Sequence, residues 1–369
     1  MTPLFKDLLL IALGKKKKLS RIYSTEEWQK AYKLAERQGV LAICFGGIEA
    51  LFKKDSSINP PKDQSEISNL SIPLKMQWIG TTISYQQLYN KHKQAIENLA
   101  KFYEKQKVKM LLIKGYGLSL DYPKPMYRPV GDVDIYLFGY KEFADQVVEQ
   151  KLGIKIEREY RKHSHFIFQN VTVENHETFL DDNKHKSNVQ YERTLENELY
   201  IKPLITTSIP NCYLPSATWN ALFLVRHAGE HFAANEILMR HVLDLGTFFK
   251  AHHREIDWDL VLKVYKEEKI KLFYDAIATI CVRDLDMQAK WFQGFSHNNK
   301  LADKTLVDIF SCKEQPPMSS NAPKNMGIIK YGFVKTLFWW HNRWKYKIVY
   351  NESLWNSFCS LALNRIKYR

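Results

Sequence analysis

Two aspartates one residue apart, Asp132 and Asp134, stand in Arg128-Pro-Val-Gly-Asp-Val-Asp-Ile-Tyr-Leu137, seventeen positions after Gly115 of Leu112-Ile-Lys-Gly-Tyr-Gly117. Side chains alternate along a strand, so the two carboxylates project together while Val133 and Ile135 face a core. Carboxylates held side by side repel one another unless a cation lies between them, and Mg²⁺ bridging a triphosphate is the usual cation of such a site. By itself Asp-x-Asp is common and reads first as a solvated acidic face on an edge strand. A glycine turn and a third acid change that reading.

The third acid is Glu174, in Val171-Thr-Val-Glu-Asn-His-Glu-Thr-Phe179. Alternation puts Thr172, Glu174 and His176 on one face, opposite Val171 and Val173. If this strand lies beside Asp132–Leu137, Glu174 completes a three-carboxylate cluster. Two carboxylates would hold a metal chelated by the triphosphate, and the third would help a second metal or act as base toward an attacking hydroxyl. Gly115 and Gly117 let backbone N–H groups approach phosphate at the start of a helix. Lys114 and Arg128 either neutralise charge there or stand as solvated cations. Phosphoryl and nucleotidyl transfer need mainly positioning and charge neutralisation, so acids with a phosphate cradle are a sufficient toolkit. His176 either supports the metal site or fills the sheet surface.

The elements that must position these residues follow from the pattern. Val108 to Ile113 is a short apolar run stopped by Lys114-Gly115, a buried strand. A short helix over 116–120, a rigid Pro-containing loop and the Asp132–Phe138 strand come next. A helix over 141–150, ended by Gly153, precedes three β-type segments at 154–159, 165–169 and 171–179. Before this core, Ser24-Thr-Glu-Glu27 forms a capping box, with Trp28, Tyr32, Leu34, Ala35 and Val40 following at helical spacing. A polar loop over 53–69 leads to a long helix from about 72 to 106, with Leu88, Ile96, Leu99 and Phe102 as expected buried positions. Helices resume at Pro215, and 311–323 reads as a loop.

These readings give an α+β fold: a small mixed β-sheet core with helices on one face, flanked by N-terminal and C-terminal helical regions. The expected divisions are an N-terminal helical region (1–107), the sheet core (108–185), a C-terminal helical domain (186–326) and a basic aromatic segment (327–369). The chain's 369 residues, 45% hydrophobic and 25% charged, are ordinary globular material. Five scattered cysteines show no CxxC spacing, which excludes a zinc ribbon or disulfide framework and points to a reducing, cytoplasmic home. The N-terminal run carries its lysines after the apolar stretch and reads as an amphipathic helix rather than a secretory signal. No apolar stretch is long enough to span a bilayer. Of the net charge of +14, Lys15 to Lys18 carry +4 and residues 327–369 carry +7, so the central body is nearly balanced. Residues 327–369 interleave eleven aromatics with eight cations. That composition suits packing on the body, or contact with nucleic acid or a membrane surface.

Lys114-Gly115, then Arg128-Pro-Val-Gly-Asp132-Val-Asp134, then Glu174-Asn-His176 resembles the Lys-Gly … Arg-x-x-x-Asp-hydrophobic-Asp … Asp/Glu-x-His pattern of the uncharacterised bacterial nucleotidyltransferase family. That family is a branch of the polymerase-beta-like superfamily, related to the nucleotidyltransferase toxins of abortive-infection systems. The resemblance runs from the Trp28 helix to about residue 285. It implies that Asp132 and Asp134 are the metal-binding pair, Glu174 the third acid and Gly115 the phosphate-turn glycine, with Mg²⁺ or Mn²⁺ and an NTP. Two positions depart from the wider pattern: Tyr116 directly follows Gly115 where a small residue is favoured, and the third acid is Glu rather than Asp. The resemblance extends to His227-Ala-Gly-Glu-His231 and Arg240-His-Val-Leu-Asp244, and gives His227, His231 and Asp244 a substrate-facing role. The same residues also allow an i,i+4 pair between Arg240 and Asp244.

The expected activity is metal-dependent transfer of a nucleotide from an NTP to a hydroxyl of an acceptor, which is a protein, RNA, a sugar or a small molecule. A nucleotide- or nucleic-acid-binding module without turnover is the second reading. The third is a zinc peptidase, because His227-Ala-Gly-Glu-His231 spells H-x-x-E-H.

Overall fold

The structure is a computed structural model that describes all residues except 56–66, 159–161, 182–184, 235–236, 312–327 and 359–369. Four helices lead in: α1 (Pro3–Ala12), α2 (Thr25–Arg37), α3 (Leu41–Asp55) and α4 (Ile72–Lys105). The central part follows as β1 (Met110–Leu112), α5 (Tyr116–Ser119), β2 (Val133–Tyr136), α6 (Lys141–Leu152), β3 (His163–Phe168) and β4 (Val171–His176). Then come α7 (Lys186–Ile201), β5 (Ile205–Thr206), β6 (Cys212–Leu214), α8 (Ala217–Ala234) and α9 (Met239–His252). The chain continues through α10 (Trp258–Glu267), α11 (Lys271–Asp284), α12 (Asn299–Phe310) and α13 (Ile328–Val349).

The strands form one mixed sheet in the order β3-β4-β2-β1-β6-β5. β2 runs parallel to β4 and antiparallel to β1, and β1 runs parallel to β6. Alternation along β1 and β2 divides their side chains between two cores. Met110, Leu112, Val133 and Ile135 pack with Ile96, Leu99 and Tyr103 of α4 and with Ala144 and Val148 of α6. Leu111, Ile113 and Tyr136 turn to the other face, where they join Phe179 and Trp219 in the core shared with the flanking helical regions. The carboxylates therefore stand on the face that looks toward the helical regions, while α4 and α6 brace the sheet from behind.

Local signals account for most of these elements. Ser24 caps α2: its Oγ accepts from Glu27 N at 3.3 Å, and Glu27 Oε2 accepts from Ser24 N at 3.0 Å. Trp28, Tyr32, Leu34, Ala35 and Val40 are all buried. Gly153 ends α6 in the left-handed region, where glycine carries no Cβ penalty. Ile96 and Leu99 are buried as their spacing predicts and Phe102 is half-buried, but Leu88 is exposed, because the buried stripe of α4 runs through Tyr89 and His92 and leaves Leu88 beside it.

Other elements differ from the sequence reading. Residues 154–158 form only an isolated bridge, Glu157 to His165, in place of the expected strand. β4 stops at His176, because the N–H groups of Phe179 and Leu180 donate to Glu192 at 2.7 and 2.8 Å instead of to a neighbouring strand. α7 and the short strands β5 and β6 occupy a stretch without a legible pattern, and β6 extends the sheet beyond residue 185 by pairing with β1. The polar loop gives way to α3 as far as Asp55, and most of the remainder lies outside the described residues, as does most of 311–323.

The basic segments pack onto the body where they are described. Lys16 pairs with buried Asp7 at 2.5 Å, and Lys15 lies over Trp291. In α13 and the turn after it, Tyr346, Val349 and Tyr350 are buried, and Lys345 pairs with Asp308 at 2.6 Å. Gly229 of α8 permits this approach, since a Cβ there would meet Val349 at 3.2 Å. Trp340 and Trp355 remain exposed. Among the described residues no helix is long and apolar enough to cross a membrane.

Candidate active site

Parallel pairing of β2 with β4 places Asp134 directly beside Glu174. Asp132, one residue before β2, projects to the same side at the mouth of a cavity of about 410 Å³. This cavity lies between the sheet and the helices α8 and α9. Asp132, Asp134 and Glu174 line it from the sheet; His227 and His231 line it from α8, and Arg240, His241 and Asp244 from α9. Lys114, Gly115 and Lys162 complete the polar wall.

The acids differ in environment. Asp134 is buried, which opposes its charge, but the Lys114 ammonium at 2.6 Å and His176 Nε2 at 3.0 Å outweigh that and hold its pKa well below the usual carboxylate range. Glu174 is likewise held low: desolvation is the largest effect and raises it, but the hydrogen bond from His176 and the charges of His163 and Lys114 together lower it. Asp132 is raised by desolvation and by the charges of Glu174 and Asp134. Its nearest strong charges are other carboxylates, so a cation in the cavity would be favoured at its side chain.

Cations line the same cavity, Lys114 and Lys162 from the sheet side and Arg240 from α9. Burial and then the charge of Lys114 lower the pKa of Lys162. Burial and then Arg128 lower that of Arg240, whose buried Nε has no hydrogen-bond partner among the described residues. Desolvation in the cavity lowers the pKa of the three histidines, with the neighbouring cations adding to it, although His231 keeps an exposed edge; His241 is pushed down to about 3. Mutual repulsion among Lys114, Lys162 and Arg240 would be relieved by a polyanion between them.

Gly115 has φ of +50°, and a Cβ there would stand 3.3 Å from the carbonyl of Asp132, so the turn needs glycine twice over. Gly117 does not line the cavity; a Cβ at that position would meet Leu214 at 2.8 Å, so its role is the approach of α5 to β6. Tyr116 points into the core, stacked on Tyr89 with ring centroids 5.3 Å apart, and leaves the cavity open.

Arg128 and Asp244 both line the cavity and pair with each other. Nε and Nη2 of Arg128 donate to the two Asp244 oxygens at 2.8 and 3.0 Å, and the Tyr122 hydroxyl donates to Oδ1 at 2.7 Å. This buried pair ties the loop before Asp132 to α9, and the i,i+4 pair between Arg240 and Asp244 does not form. His92 of α4 holds the other side of the same loop, with Nε2 2.6 Å from the Gly131 carbonyl.

The zinc-peptidase arrangement is not built. His227 and His231 meet through their Nε2 atoms at 3.2 Å, but Glu230 is turned away, accepting from Asn188 Nδ2 at 2.5 Å. Gly229 serves helix packing instead. Lys162, His163 and His241 were not legible as site residues. The alternation His163-Ser-His165 was the available signal, since it puts both rings on one face of a strand.

Carboxylates in register on a mixed sheet, with cations lining the same cavity, are equipment suited to phosphoryl chemistry in an α+β protein. A family model described as uncharacterised nucleotidyltransferase matches residues 24–285, and the chain belongs to that family. No match was found among curated proteins or among solved structures.

Proposed function

We propose that this nucleotidyltransferase moves a nucleotide from an NTP to a hydroxyl of an acceptor, a protein, RNA, sugar or small molecule. The observation that carries the reading is the pairing of Asp134 with Glu174 on adjacent strands, with Asp132 beside them, in a cavity also lined by Lys114 and Lys162 from the sheet side and by Arg240 from α9. The oxygen donors of Asp132, Asp134 and Glu174 suit Mg²⁺ or Mn²⁺, and a cation among them would relieve the repulsion by Glu174 and Asp134 that helps raise Asp132. Bound there, the metal would neutralise charge on the phosphates.

The chain's own residues supply the rest. Lys114, Lys162 and Arg240 hold the β- and γ-phosphates, so that the departing pyrophosphate meets positive charge. The acceptor oxygen bonds to the α-phosphorus as the bond to pyrophosphate breaks, and a site carboxylate takes the hydroxyl proton. His176 keeps Asp134 and Glu174 oriented through contacts of 3.0 and 3.3 Å. The Arg128–Asp244 pair fixes the loop that presents Asp132.

The binding-only reading draws on one observation: Lys114 already occupies Asp134 at 2.6 Å, where a metal would have to compete. Incubation with each labelled NTP, Mg²⁺ or Mn²⁺ and a cell lysate separates the two. Covalent transfer of label that disappears in Asp134→Ala supports the enzyme. NTP binding without transfer to any acceptor favours the module.

A further inference from the structure

Beside the carboxylates, the sheet carries a second set of donors. His163 on β3 and His176 on β4 are cross-strand partners, and Glu174 lies two residues before His176 on the same face. Glu174 Oε2 stands 3.3 Å from His176 Nε2, and Glu174 Oε1 stands 3.7 Å from His163 Nε2. The three ligand atoms all lie within 4.8 Å of one another. Donors sharing one tetrahedral ion at about 2.0–2.1 Å are themselves about 3.3 Å apart. Oε2 of Glu174 already stands at that distance from His176 and Oε1 is a few tenths of an ångström beyond it from His163, so a small turn of the carboxylate and of the His163 ring, within the 4.8 Å that bounds the set, would bring three donors around one ion.

The orientation of His176 is an independent sign. Its Nδ1 lies 3.2 Å from the Thr178 carbonyl, which can only accept, so Nδ1 donates there. Nε2 is thereby turned toward carboxylate oxygens of both Glu174 and Asp134, at 3.3 and 3.0 Å; it donates to them in the absence of a metal and would give up that proton on ligating one. Ligating imidazoles are held in this way: a carbonyl on the remote N–H fixes the ring and directs the other nitrogen at the metal. The ring is 2% exposed, so the nitrogen is committed to this cleft rather than to water. Two imidazoles with one carboxylate suit Zn²⁺, Co²⁺ or Mn²⁺, whereas Mg²⁺ favours oxygen and retains its waters.

We propose that His163, Glu174 and His176 form a binding site for a divalent transition-metal ion, next to the Asp132–Asp134 pair and sharing Glu174 with it. The inference goes beyond nucleotide transfer, because the site should bind metal in the absence of any nucleotide. It therefore stands or falls separately from the transfer assay.

The test is titration of the metal-stripped full chain with Co²⁺, without nucleotide and in excess Mg²⁺. One equivalent should bind despite the Mg²⁺. His163→Ala, which removes a half-buried ring, should weaken binding by at least about tenfold, the loss produced even by removing an outer partner of a metal ligand. No Co²⁺ retained against Mg²⁺, or an affinity unchanged in His163→Ala, overturns the proposal. So does a loss of binding confined to His227→Ala/His231→Ala, which would place the ion at that pair. Should His163→Ala fail to fold, pulsed EPR of the Mn²⁺-loaded wild-type protein decides. Nitrogen couplings from two imidazoles support the site, and their absence overturns it.

Discussion

Removing the Asp244 carboxylate should destabilise the fold and the cavity together. Asp244 is the acceptor for two guanidinium nitrogens of Arg128 and for the Tyr122 hydroxyl, and both Arg128 and Asp244 are buried. Truncating one partner of such a pair leaves the other charge unpaired inside the protein, at a cost of about 3–5 kcal/mol. Asp244→Ala and Arg128→Ala should each show a loss of that order in denaturant unfolding. The double variant should lose markedly less than the sum, with a coupling of about 2 kcal/mol or more. The same set of variants asks what Arg128 does for ligand. As a brace, its removal lowers NTP affinity about as much as removal of Asp244, although the two carry opposite charges. The reasoning is refuted by additive stabilities, or by an affinity loss in Arg128→Ala that Asp244→Ala does not share. The latter result would return Arg128 to the phosphates.

Further consequences concern other groups. Lys162→Gln and Arg240→Gln should each weaken NTP binding by about 1.5 kcal/mol, roughly tenfold in Kd, by isothermal titration with little change in melting temperature. Wild-type affinity in both variants would remove these two cations from the account. Asp7 is pulled below its ordinary pKa; burial opposes this, but Lys16, the Ser20 N–H and Tyr23 prevail. A carboxyl lowered on folding contributes stability that is present above its unfolded value near 3.8 and lost as pH falls through the folded value. Asp7→Asn should therefore be less stable than wild type at neutral pH, and the gap should narrow in acid unfolding curves below about pH 4. A gap independent of pH would contradict the assignment.

The carboxylate cluster was legible because alternation is a local property: Asp132 and Asp134 needed only a strand, and Glu174 needed only that its strand be a neighbour. The nucleotidyltransferase resemblance rested on the same residues, and the family match bears it out. The α+β architecture followed from the apolar runs and caps in the same way. Pairings across the fold were not legible. Arg128 and Asp244 are 116 residues apart, and nothing local distinguishes a guanidinium destined for a carboxylate from one destined for phosphate. Lys162 stands without a motif, and His241 lies inside the Arg240–Asp244 segment with no spacing of its own to mark it; only the folding of α9 over the sheet gives them a common cavity. β5 and β6, of two and three residues, are too short for any periodicity to register. Gly117 misled for a related reason: a glycine near a phosphate turn looks like a cradle, whereas here it makes room for Leu214.

The central claim is that the cavity positions an NTP for attack at its α-phosphorus. Parallel incubations with α-labelled and γ-labelled NTP, a divalent cation and a lysate test it most directly. The account predicts that α-label becomes covalently attached to an acceptor while γ-label leaves as pyrophosphate, and that Asp134→Asn, folded as wild type, abolishes both. Transfer of γ-label to the acceptor, or transfer of α-label undiminished in Asp134→Asn, would contradict it.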